Sequence, residues 1–480
     1  MKKIITILSL VFCAVMLLST PASALTDVSG SFVIDENGKH ITVPVLYEAE
    51  ECVSKLVIDG VKSSLNDPKD IFADKNGYYI ADTGNNRIIV TDTDFRVSKV
   101  LSGADGTDFS SPTGVSTDTA GDIYVADTGN SRVVHFSPQG EYIESFVKPE
   151  SDLLYDVEVF SPSKVGFDPV SNLLYVIQGK QFMTIDAANK FKGYVGDNRL
   201  GFDLWDYLFR KFATEKQKMQ TQKREPDSYT NFCLGNDGKL YAVGLNNSQR
   251  ISIINTVGNN IYPSGNYGES RYESDGTEIT PVFSDIAVNS KGIIFVSEEN
   301  TGCIYQYSGN GELIGVFGGK GSGSSSFNVI SSIVINSEDK LVTLDSALGR
   351  IQVFGATEFS NNVHTALMLN DAGQYERSYE IWQKVKEQAS GYTLARSMIG
   401  KIEYKNGNYS VAEKEFKEGE DRANYSKAFS KLRYAFFRDH FEIICILVLA
   451  GVVLIIIGIR FLQKYVRRLR AELWKEGGGR

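Results

Sequence analysis

The chain has 480 residues, of which 42% are hydrophobic and 23% are charged, so it is neither wholly disordered nor a disulfide-dense peptide. The formal net charge is −9, and the basic ends (+2 in residues 1–24, +5 in residues 460–480) leave −16 for the residues between them. Because so acidic a body repels phosphate backbones, the composition argues against nucleic acid as a partner.

The first 24 residues have the pattern of a secretory signal peptide. Lys2 and Lys3 precede an apolar stretch from residue 4 to residue 18, and Ala22-Ser23-Ala24 forms an A-x-A cleavage site. This pattern predicts that residues 1–24 direct the chain out of the cytoplasm and are then removed.

A second apolar segment predicts one transmembrane helix at 441–462. Its centre, residues 443–459, consists of 17 consecutive apolar or Gly residues, which with the flanking residues is long enough to cross a bilayer. Basic side chains dominate the tail, 463–480, and such residues favour the cytoplasmic side. Together with the signal peptide, this predicts a single-pass cell-membrane protein with its N-terminal ectodomain outside and a short C-terminal tail in the cytoplasm.

A repeated motif fills most of the predicted ectodomain. The segment YIADTGNNRIIV at 79–90 recurs as YVADTGNSRVVH at 124–135. Weaker copies follow, and the spacings between the six copies are 45, 51, 66, 54 and 47 residues. A repeat of about 45 residues with several short strand patterns is typical of one four-stranded propeller blade. The sequence therefore predicts a mainly β fold, with a six-bladed propeller over residues 61–357.

The N-terminal segment, residues 25–60, is predicted to complete the ring. After Phe354 the last repeat has three strand patterns, whereas CVSKLVI at 52–58 precedes the first full repeat and can supply a fourth strand. Closure of this kind would leave no open sheet edge. Upstream, Asn37-Gly38 lies between SFVI and ITVPV and predicts a β-hairpin.

The two strongest copies resemble NHL repeats. Pro68-x-Asp70-Ile71 precedes the first copy, and Pro112-x-Gly114-Val115 precedes the second. This resemblance implies a six-bladed NHL-type propeller over residues 61–357. Membrane proteins of similar layout resemble accessory subunits of bacterial envelope complexes.

The propeller axis is the first place at which chemistry is expected. The inner strands are predicted to begin at Asp70, Gly114, Ser163, Asp285 and Ser331, two of which are carboxylates. Calcium-dependent sugar lactonases resemble this fold, and that resemblance implies an alternative function, a gluconolactonase-like hydrolase with calcium at Asp70 and Asp285. Because calcium takes six to eight oxygen ligands, two carboxylates fall short, and we expect no resident metal and no catalytic residue.

Zinc and redox chemistry find no support in the sequence. The four histidines, His40, His135, His364 and His440, form no ligand pair at helical or strand spacing. The five cysteines form no CxxC motif. We therefore expect no cofactor.

An insertion at 200–229 accounts for the 66-residue spacing between the third and fourth copies. Four apolar side chains recur there at helical spacing, and a basic tract accompanies them. The candidate partner-binding residues are Trp205, Leu208, Phe209, Phe212, Lys216, Lys218, Lys223 and Arg224. The predicted helix either packs against the side of the propeller or docks on a partner or the membrane surface. Packing requires the apolar stripe but not the basic tract.

A shorter repeat follows the propeller at 361–420. Gly373-x-Tyr375 and Gly407-x-Tyr409 are 34 residues apart, and each precedes residues at helical spacing. The segment resembles TPR units, which implies a small helical domain with a partner-binding groove around Tyr375, Trp382 and Tyr409. The alternative is a plain helical spacer, followed in either case by a stem at 421–440.

The sequence thus predicts a protein that binds or scaffolds a partner rather than one that catalyses a reaction. Propeller loops and a TPR-like groove both suit the recognition of a membrane protein, an envelope-complex partner, a glycan or a peptide. By analogy with the membrane proteins of similar layout, the protein is expected to be an accessory part of an envelope or sugar-uptake complex.

Overall fold

The computed structural model describes most of the chain beyond its N-terminal segment. The described residues are 30–35, 38–151, 154, 159–195, 228–245, 249–272 and 275–477. The predicted signal peptide and nearly all of the insertion at 200–229 lie outside them. The chain divides into two compact units, of which the first ends at Tyr392 and the second begins at Thr393.

Six antiparallel sheets form the blades of a propeller in the first unit, which confirms the predicted fold class. The inner strands of successive blades contact one another in order, and blade 6 contacts blade 1, so the ring is closed. The strands are, for blade 1, Asp70–Ala73, Tyr78–Asp82, Arg87–Thr91 and Val97–Leu101; for blade 2, Pro112–Thr117, Ile123–Asp127, Arg132–Phe136 and Tyr142–Phe146; for blade 3, Pro162–Asp168, Leu173–Gln178, Gln181–Asp186 and Phe191–Tyr194; for blade 4, Tyr229–Leu234, Leu240–Gly244 and Ile251–Ile254; for blade 5, Phe283–Val288, Ile294–Glu298, Cys303–Tyr307 and Leu313–Gly318; and for blade 6, Ile330–Ile335, Leu341–Asp345 and Arg350–Ala356.

A strand from the N-terminal segment completes blade 6. Tyr47–Val53 pairs antiparallel with Arg350–Ala356 and so becomes the fourth strand of that blade. This closing strand begins at Tyr47, earlier than the predicted segment 52–58. The second half of that predicted segment, Leu56–Ile58, pairs instead with Val61–Ser63 in a separate hairpin. Blade 6 therefore combines both ends of the propeller, and the outer edge of Arg350–Ala356 is paired.

The predicted N-terminal hairpin adds two strands to blade 5. Phe32–Ile34 pairs antiparallel with His40–Thr42. Phe32 also pairs with Val316 in the outer strand of blade 5, which makes this sheet six strands wide. Two further short hairpins lie between blades, Gly103–Ala104 with Thr107–Asp108 and Arg271–Tyr272 with Glu278–Ile279.

The apolar core lies between neighbouring blades. All residues of Tyr78–Asp82 and Ile123–Asp127 are buried, because each sheet is covered on both faces. Ile88 of blade 1 and Val115 and Val125 of blade 2 belong to one such inter-blade cluster. This packing places the apolar residues around the ring and leaves the axis to other side chains.

The most regular motif residues hold the turns of the blades. Asp82 accepts the Asn66 N–H through Oδ1 at 2.7 Å, and its Oδ2 lies 2.7 Å from Arg87 Nε. Asp127 forms the same ion pair with Arg132 at 2.8 Å. Their recurrence in blades 1 and 2 is explained by this scaffold role.

Two helices end the first unit. Helix α1, Glu358–Asp371, begins after Thr357, whose side chain accepts the N–H of Ser360. Helix α2, Tyr375–Gln388, follows a turn at Gly373, where φ is +74°. The two helices pack on each other.

A buried histidine joins α1 to blade 5. His364 Nε2 lies 3.0 Å from Gln306 Oε1, and the His364 side chain is buried. Burial, with a smaller contribution from Lys291, lowers the pKa of His364 to about 3. The imidazole is therefore neutral at physiological pH, and its bond to Gln306 is a structural one.

The second unit is helical. It comprises α3, Thr393–Lys405; α4, Tyr409–Glu418; α5, Arg422–Asp439; and α6, Phe441–Gly477. A turn at Gly407 precedes α4 as the turn at Gly373 precedes α2, but a TPR fold remains a prediction. Helix α6 is, among the described residues, the one helix long and apolar enough to cross a membrane.

Candidate functional site

Each inner strand contributes one residue to a ring around the propeller axis, which we call the axial ring. In blades 2 to 6 the pairing register shifts by one residue near the start of the inner strand, and the ring residue follows that shift. In blade 1 the equivalent residue is the first of the strand. The axial ring, in blade order, is Asp70, Gly114, Lys164, Asn231, Asp285 and Ser332.

An ionic network connects four of these six residues. Lys164 Nζ lies 2.6 Å from Asp70 Oδ1, although the two residues belong to blades 3 and 1. Gly114, between them in blade 2, has no side chain in the way. Ser332 Oγ lies 2.9 Å from Asp70 Oδ1 and 2.8 Å from Asp285 Oδ2, so it bridges the two carboxyl groups.

Main-chain N–H groups occupy the remaining carboxylate oxygens. Asp70 Oδ2 accepts the N–H of Val115 at 2.9 Å, and Asp285 Oδ2 accepts the N–H of Ile333 at 2.7 Å. Asp285 Oδ1 accepts the N–H of Ile286 at 2.8 Å. Each aspartate therefore bonds the following blade, blade 2 for Asp70 and blade 6 for Asp285.

The network is almost fully removed from water. Asp70 and Asp285 are each 1% exposed, and the Lys164 side chain is 13% exposed. Burial raises the pKa of Asp285 to about 6, against the opposing effect of Lys164. Burial alone would lower the pKa of Lys164. The negative charges of Asp70 and then of Asp285 outweigh burial and raise that pKa. Lys164 is therefore a cation, and Asp285 titrates near neutral pH.

The geometry at Ser332 fits a protonated Asp285. A hydroxyl group has one hydrogen, and Ser332 Oγ contacts two carboxyl groups. If Asp285 is protonated, it can donate its hydrogen to Ser332 Oγ while Ser332 donates its own hydrogen to Asp70. Both contacts are then hydrogen bonds at the same time. The raised pKa of Asp285 makes this proton available just below neutral pH.

A set of hydroxyl groups at the register shifts ties the blades together beside the axial ring. Thr113 Oγ1 donates to the carbonyl of Ser163 at 3.0 Å. Ser331 Oγ donates to the carbonyl of Pro68 at 2.9 Å and so links blade 6 to blade 1. Thr230 makes the equivalent bond from blade 4 to blade 5.

The sequence located part of this site. Asp70, Gly114 and Asp285 lie on the axial ring as predicted, and the structure brings the two aspartates together through Ser332. Ser163 and Ser331 lie instead at the register shift, one residue before the ring. Lys164 and Ser332 were missed for that reason, since the extra residue moves the axial position by one, whereas Asn231 was missed because no inner-strand start was predicted for blade 4.

The axial carboxylates as arranged do not fit a calcium ion. All their oxygens accept hydrogen bonds, and the cation beside Asp70 is the Lys164 ammonium at 2.6 Å. Calcium requires six to eight oxygen ligands free of competing donors. Within the described part of the chain, no group of three or more His, Cys, Asp or Glu residues is placed to hold a metal ion.

The nearby thiol does not add a nucleophile. Burial, and to a smaller extent the charge of Asp285, raises the pKa of Cys233 to about 12. A nucleophilic cysteine needs the opposite shift. The arrangement of Asp70, Lys164 and Asp285 therefore cross-links the blades and presents no open reactive group.

The residues predicted from the sequence to bind a partner fall into two groups. Trp205, Leu208, Phe209, Phe212, Lys216, Lys218, Lys223 and Arg224 lie outside the described residues. Tyr375 and Tyr409 are half-buried at the first positions of α2 and α4. Trp382 is 0% exposed, so it packs in the interior and does not line an open groove as predicted.

Comparison with known proteins supports an NHL repeat. The NHL repeat model matches residues 109–136, which contain the first three strands of blade 2. A search of curated proteins returns no significant match. A propeller that contains an NHL repeat suggests a binding or scaffold role.

The solved structures that are similar to this chain include two lyases and one propeller domain, each of low sequence identity. A streptogramin B lyase has 13% identity and a TM-score of 0.41, over 65% of this chain and 98% of that one. A catalytically inactive virginiamycin B lyase from Staphylococcus aureus has 14% identity and a TM-score of 0.39, over 69% and 96%. The WD40 propeller domain of Doa1 has 11% identity and a TM-score of 0.39, over 65% and 98%.

Proposed function

Because the chain combines an NHL-repeat propeller with a helix that could span a membrane, we propose that it is a membrane-tethered binding protein. Its propeller lies outside the cell membrane and holds a protein or glycan partner, as an accessory part of an envelope complex such as a sugar-uptake system. The observation that carries this proposal is the axial network. Lys164 pairs with Asp70, Ser332 bridges Asp70 and Asp285, and each aspartate bonds the following blade, so the axis serves the scaffold.

The structure gives less support to the alternative, a calcium-dependent lactone hydrolase. That activity would require Asp70 and Asp285 as metal ligands, and their oxygens accept bonds from Lys164, Ser332 and main-chain N–H groups. Recognition of a partner, in contrast, uses the outer surfaces of the propeller. The insertion at 200–229, with its apolar stripe and basic tract, is the surface that we assign to this contact.

The orientation in the membrane is tested with single cysteines and a membrane-impermeant maleimide in intact cells. Val170, in the turn between the first two strands of blade 3, is 94% exposed, and Trp474, near the end of α6, is 85% exposed. In a Cys52→Ser background, Val170→Cys should be labelled in intact cells, and Trp474→Cys after permeabilisation. Labelling in the opposite order would overturn the proposed orientation.

The partner contact is tested through the basic tract. Replacing Lys216, Lys218, Lys223 and Arg224 with Gln removes four positive charges from a strongly acidic body. The native membrane complex should then dissociate at lower salt, while the melting temperature stays nearly the same, because exposed charges rarely change stability by more than about 0.5 kcal/mol. A matched control replaces Lys405, Lys414, Lys417 and Lys427 with Gln. An unchanged complex would exclude the insertion as the partner surface.

A further inference from the structure

A cleft on the side of the propeller, away from the axial ring, has the composition of a ligand site. Its volume is about 450 Å³, within the range of small-molecule sites. Three parts of the first unit form its walls: the N-terminal hairpin through Ile34, the loop after blade 4 through residues 263–269, and the turn of blade 5 through residues 307–313. We refer to it as the lateral cleft.

Two buried tyrosines hold the floor of the lateral cleft in place. Tyr267 donates its hydroxyl hydrogen to the carbonyl of Pro263 at 2.6 Å, and the hydroxyl of Tyr307 accepts the N–H of Gly268 at 2.8 Å. Their ring centroids are 5.2 Å apart in an edge-to-face arrangement. These bonds fix the loop that forms the wall, so the cleft is preorganised rather than assembled on binding.

The N-terminal hairpin is fastened to the same loop. His40 Nε2 lies 2.9 Å from both carboxylate oxygens of Glu269. Phe32 of the hairpin stacks on the His40 ring with centroids 4.3 Å apart. The wall that contains Ile34 is therefore attached to blade 5 by strand pairing and to the loop by this pair.

The polar groups of the cleft select the class of ligand. Asn266 and Asn310 contribute amides, which both donate and accept hydrogen bonds, and Glu269 contributes a carboxylate, which accepts them. The Asn310 Nδ2 also donates to Asp371 Oδ1 at 3.3 Å, which leaves its second hydrogen and its carbonyl oxygen for a ligand. Among the lining residues that the structure describes, there is no Lys or Arg, so an anionic ligand would meet no countercharge. The Glu269 carboxylate is already engaged by His40, which reduces its attraction for a cation. Neutral ligands rich in hydroxyl groups satisfy all these groups.

The apolar part of the lining fits the same class. Ile34, Pro263 and Leu313 present aliphatic carbon beside the amides and the carboxylate. A sugar ring has hydroxyl groups at its edge and C–H groups on its faces, so it uses both kinds of surface at once. We propose that the lateral cleft binds a neutral saccharide, with Asn266, Glu269 and Asn310 as hydroxyl ligands. This inference rests on the proposed binding function and names one of its ligands.

The experiment measures saccharide binding by the full chain in a detergent without a sugar headgroup, since a maltoside headgroup would compete. The probes are glucose, galactose, N-acetylglucosamine and maltose, with inorganic phosphate and putrescine as charged comparisons, and binding is followed by saturation-transfer NMR and calorimetry. At least one saccharide should bind with a Kd of about 1 mM or tighter. Neither charged probe should bind with a comparable affinity.

Variants assign that binding to the cleft. Asn310→Ala and Glu269→Gln should each weaken it at least tenfold, with unchanged near-ultraviolet circular dichroism. Gln139→Ala is the matched control, because residues 137–141 of blade 2 form the same turn as residues 308–312 of blade 5, with the same bonds from Gly140 to Ser137 and from Gly311 to Ser308. Its affinity should stay within twofold of the parent.

Three results would overturn the inference: no saccharide binds, a charged probe binds more tightly than every saccharide, or the two cleft variants bind as the parent does. The proposed membrane complex is measured separately, through the variants of the basic tract. Loss of that complex with intact saccharide binding, or the reverse, therefore shows which of the two proposals has failed.

Discussion

Removal of the Lys164 ammonium is the most direct perturbation of the axial ring. Lys164→Met keeps the length of the side chain and removes its charge. Asp70, which is 1% exposed, then loses its ion pair at 2.6 Å and keeps hydrogen bonds from Ser332 and Val115. Two buried carboxyl groups remain, joined through one hydroxyl. Breaking a buried ion pair in this way costs about 3–5 kcal/mol in the free energy of unfolding.

The cost depends on pH in a way that separates charge from packing. Lys164 lowers the pKa of Asp285, so its removal raises that pKa above about 6. At pH 7.5 the parent folds with Asp285 ionised, whereas the variant must either protonate Asp285 or bury two uncompensated negative charges. At pH 5 Asp285 is protonated in both proteins. The destabilisation by Lys164→Met should therefore be larger at pH 7.5 than at pH 5.

The assay is urea unfolding of the full chain in mild detergent, followed by near-ultraviolet circular dichroism at both pH values. Lys69→Met is the control, because Lys69 forms an exposed pair with Asp67 at 2.7 Å beside the same strand, and such pairs contribute about 0–1 kcal/mol. Asp70→Asn combined with Lys164→Met removes both charges and should recover at least about 1 kcal/mol of the single-variant loss. If Lys164→Met costs no more than Lys69→Met, the network is not a buried ionic cross-link.

Four further predictions concern the first unit. Gly114→Ala should cost about 1–3 kcal/mol in a urea titration, because its Cβ would lie 2.7 Å from the Ser163 carbonyl oxygen, whereas Gly309→Ala meets nothing within 4 Å and should be neutral. His364 is neutral when folded, so the stability it contributes is present above pH 6.5 and falls by up to about 1.4 kcal/mol per pH unit as the pH decreases toward 3; His364→Gln should lose this dependence in melts across that range. Deleting residues 30–53 removes the closing strand of blade 6 and should abolish the cooperative melt or cause aggregation, and a cooperative melt at the parent temperature would contradict closure by Tyr47–Val53. Melts with millimolar calcium and with chelator should overlap, since a site filled at a hundred times its Kd would add about 2.7 kcal/mol.

The fold could be predicted because the repeat and the blade are the same unit. The copies at 79–90 and 124–135 each contain the last residues of a buried central strand, a turn and the next strand, so their spacing counts the blades directly. The position of the closing strand was less predictable. Tyr47–Val53 contains three glutamates and little apolar surface, whereas CVSKLVI is more apolar, so the hydrophobic pattern places the predicted strand a few residues too far along the chain.

The axial ring was predictable in part, because a strand start can be recognised but a register shift cannot. Asp70, Gly114 and Asp285 were placed correctly, Asp70 with no extra residue before it and the other two after a register shift. Lys164 and Ser332 follow Ser163 and Ser331, and both members of each pair are polar residues that could face the axis. Which of the two does so depends on the hydrogen bonds of the serine hydroxyl to main-chain carbonyls, as at Pro68. No local pattern in the sequence encodes those bonds.

The irregular parts of the repeat lie on both sides of blade 4 along the chain, and each contains residues of one proposed binding surface. The spacings before and after its central strand, 66 and 54 residues, are the longest in the chain. The longer one contains the insertion with the basic tract, and the shorter one contains the loop at 263–269 that walls the lateral cleft. Regular blades need no more than about 45 residues, so these additional residues are not required to close the ring. The two interruptions of the repeat therefore flank a single blade along the chain, and both proposed contacts use residues that the closed ring itself does not need.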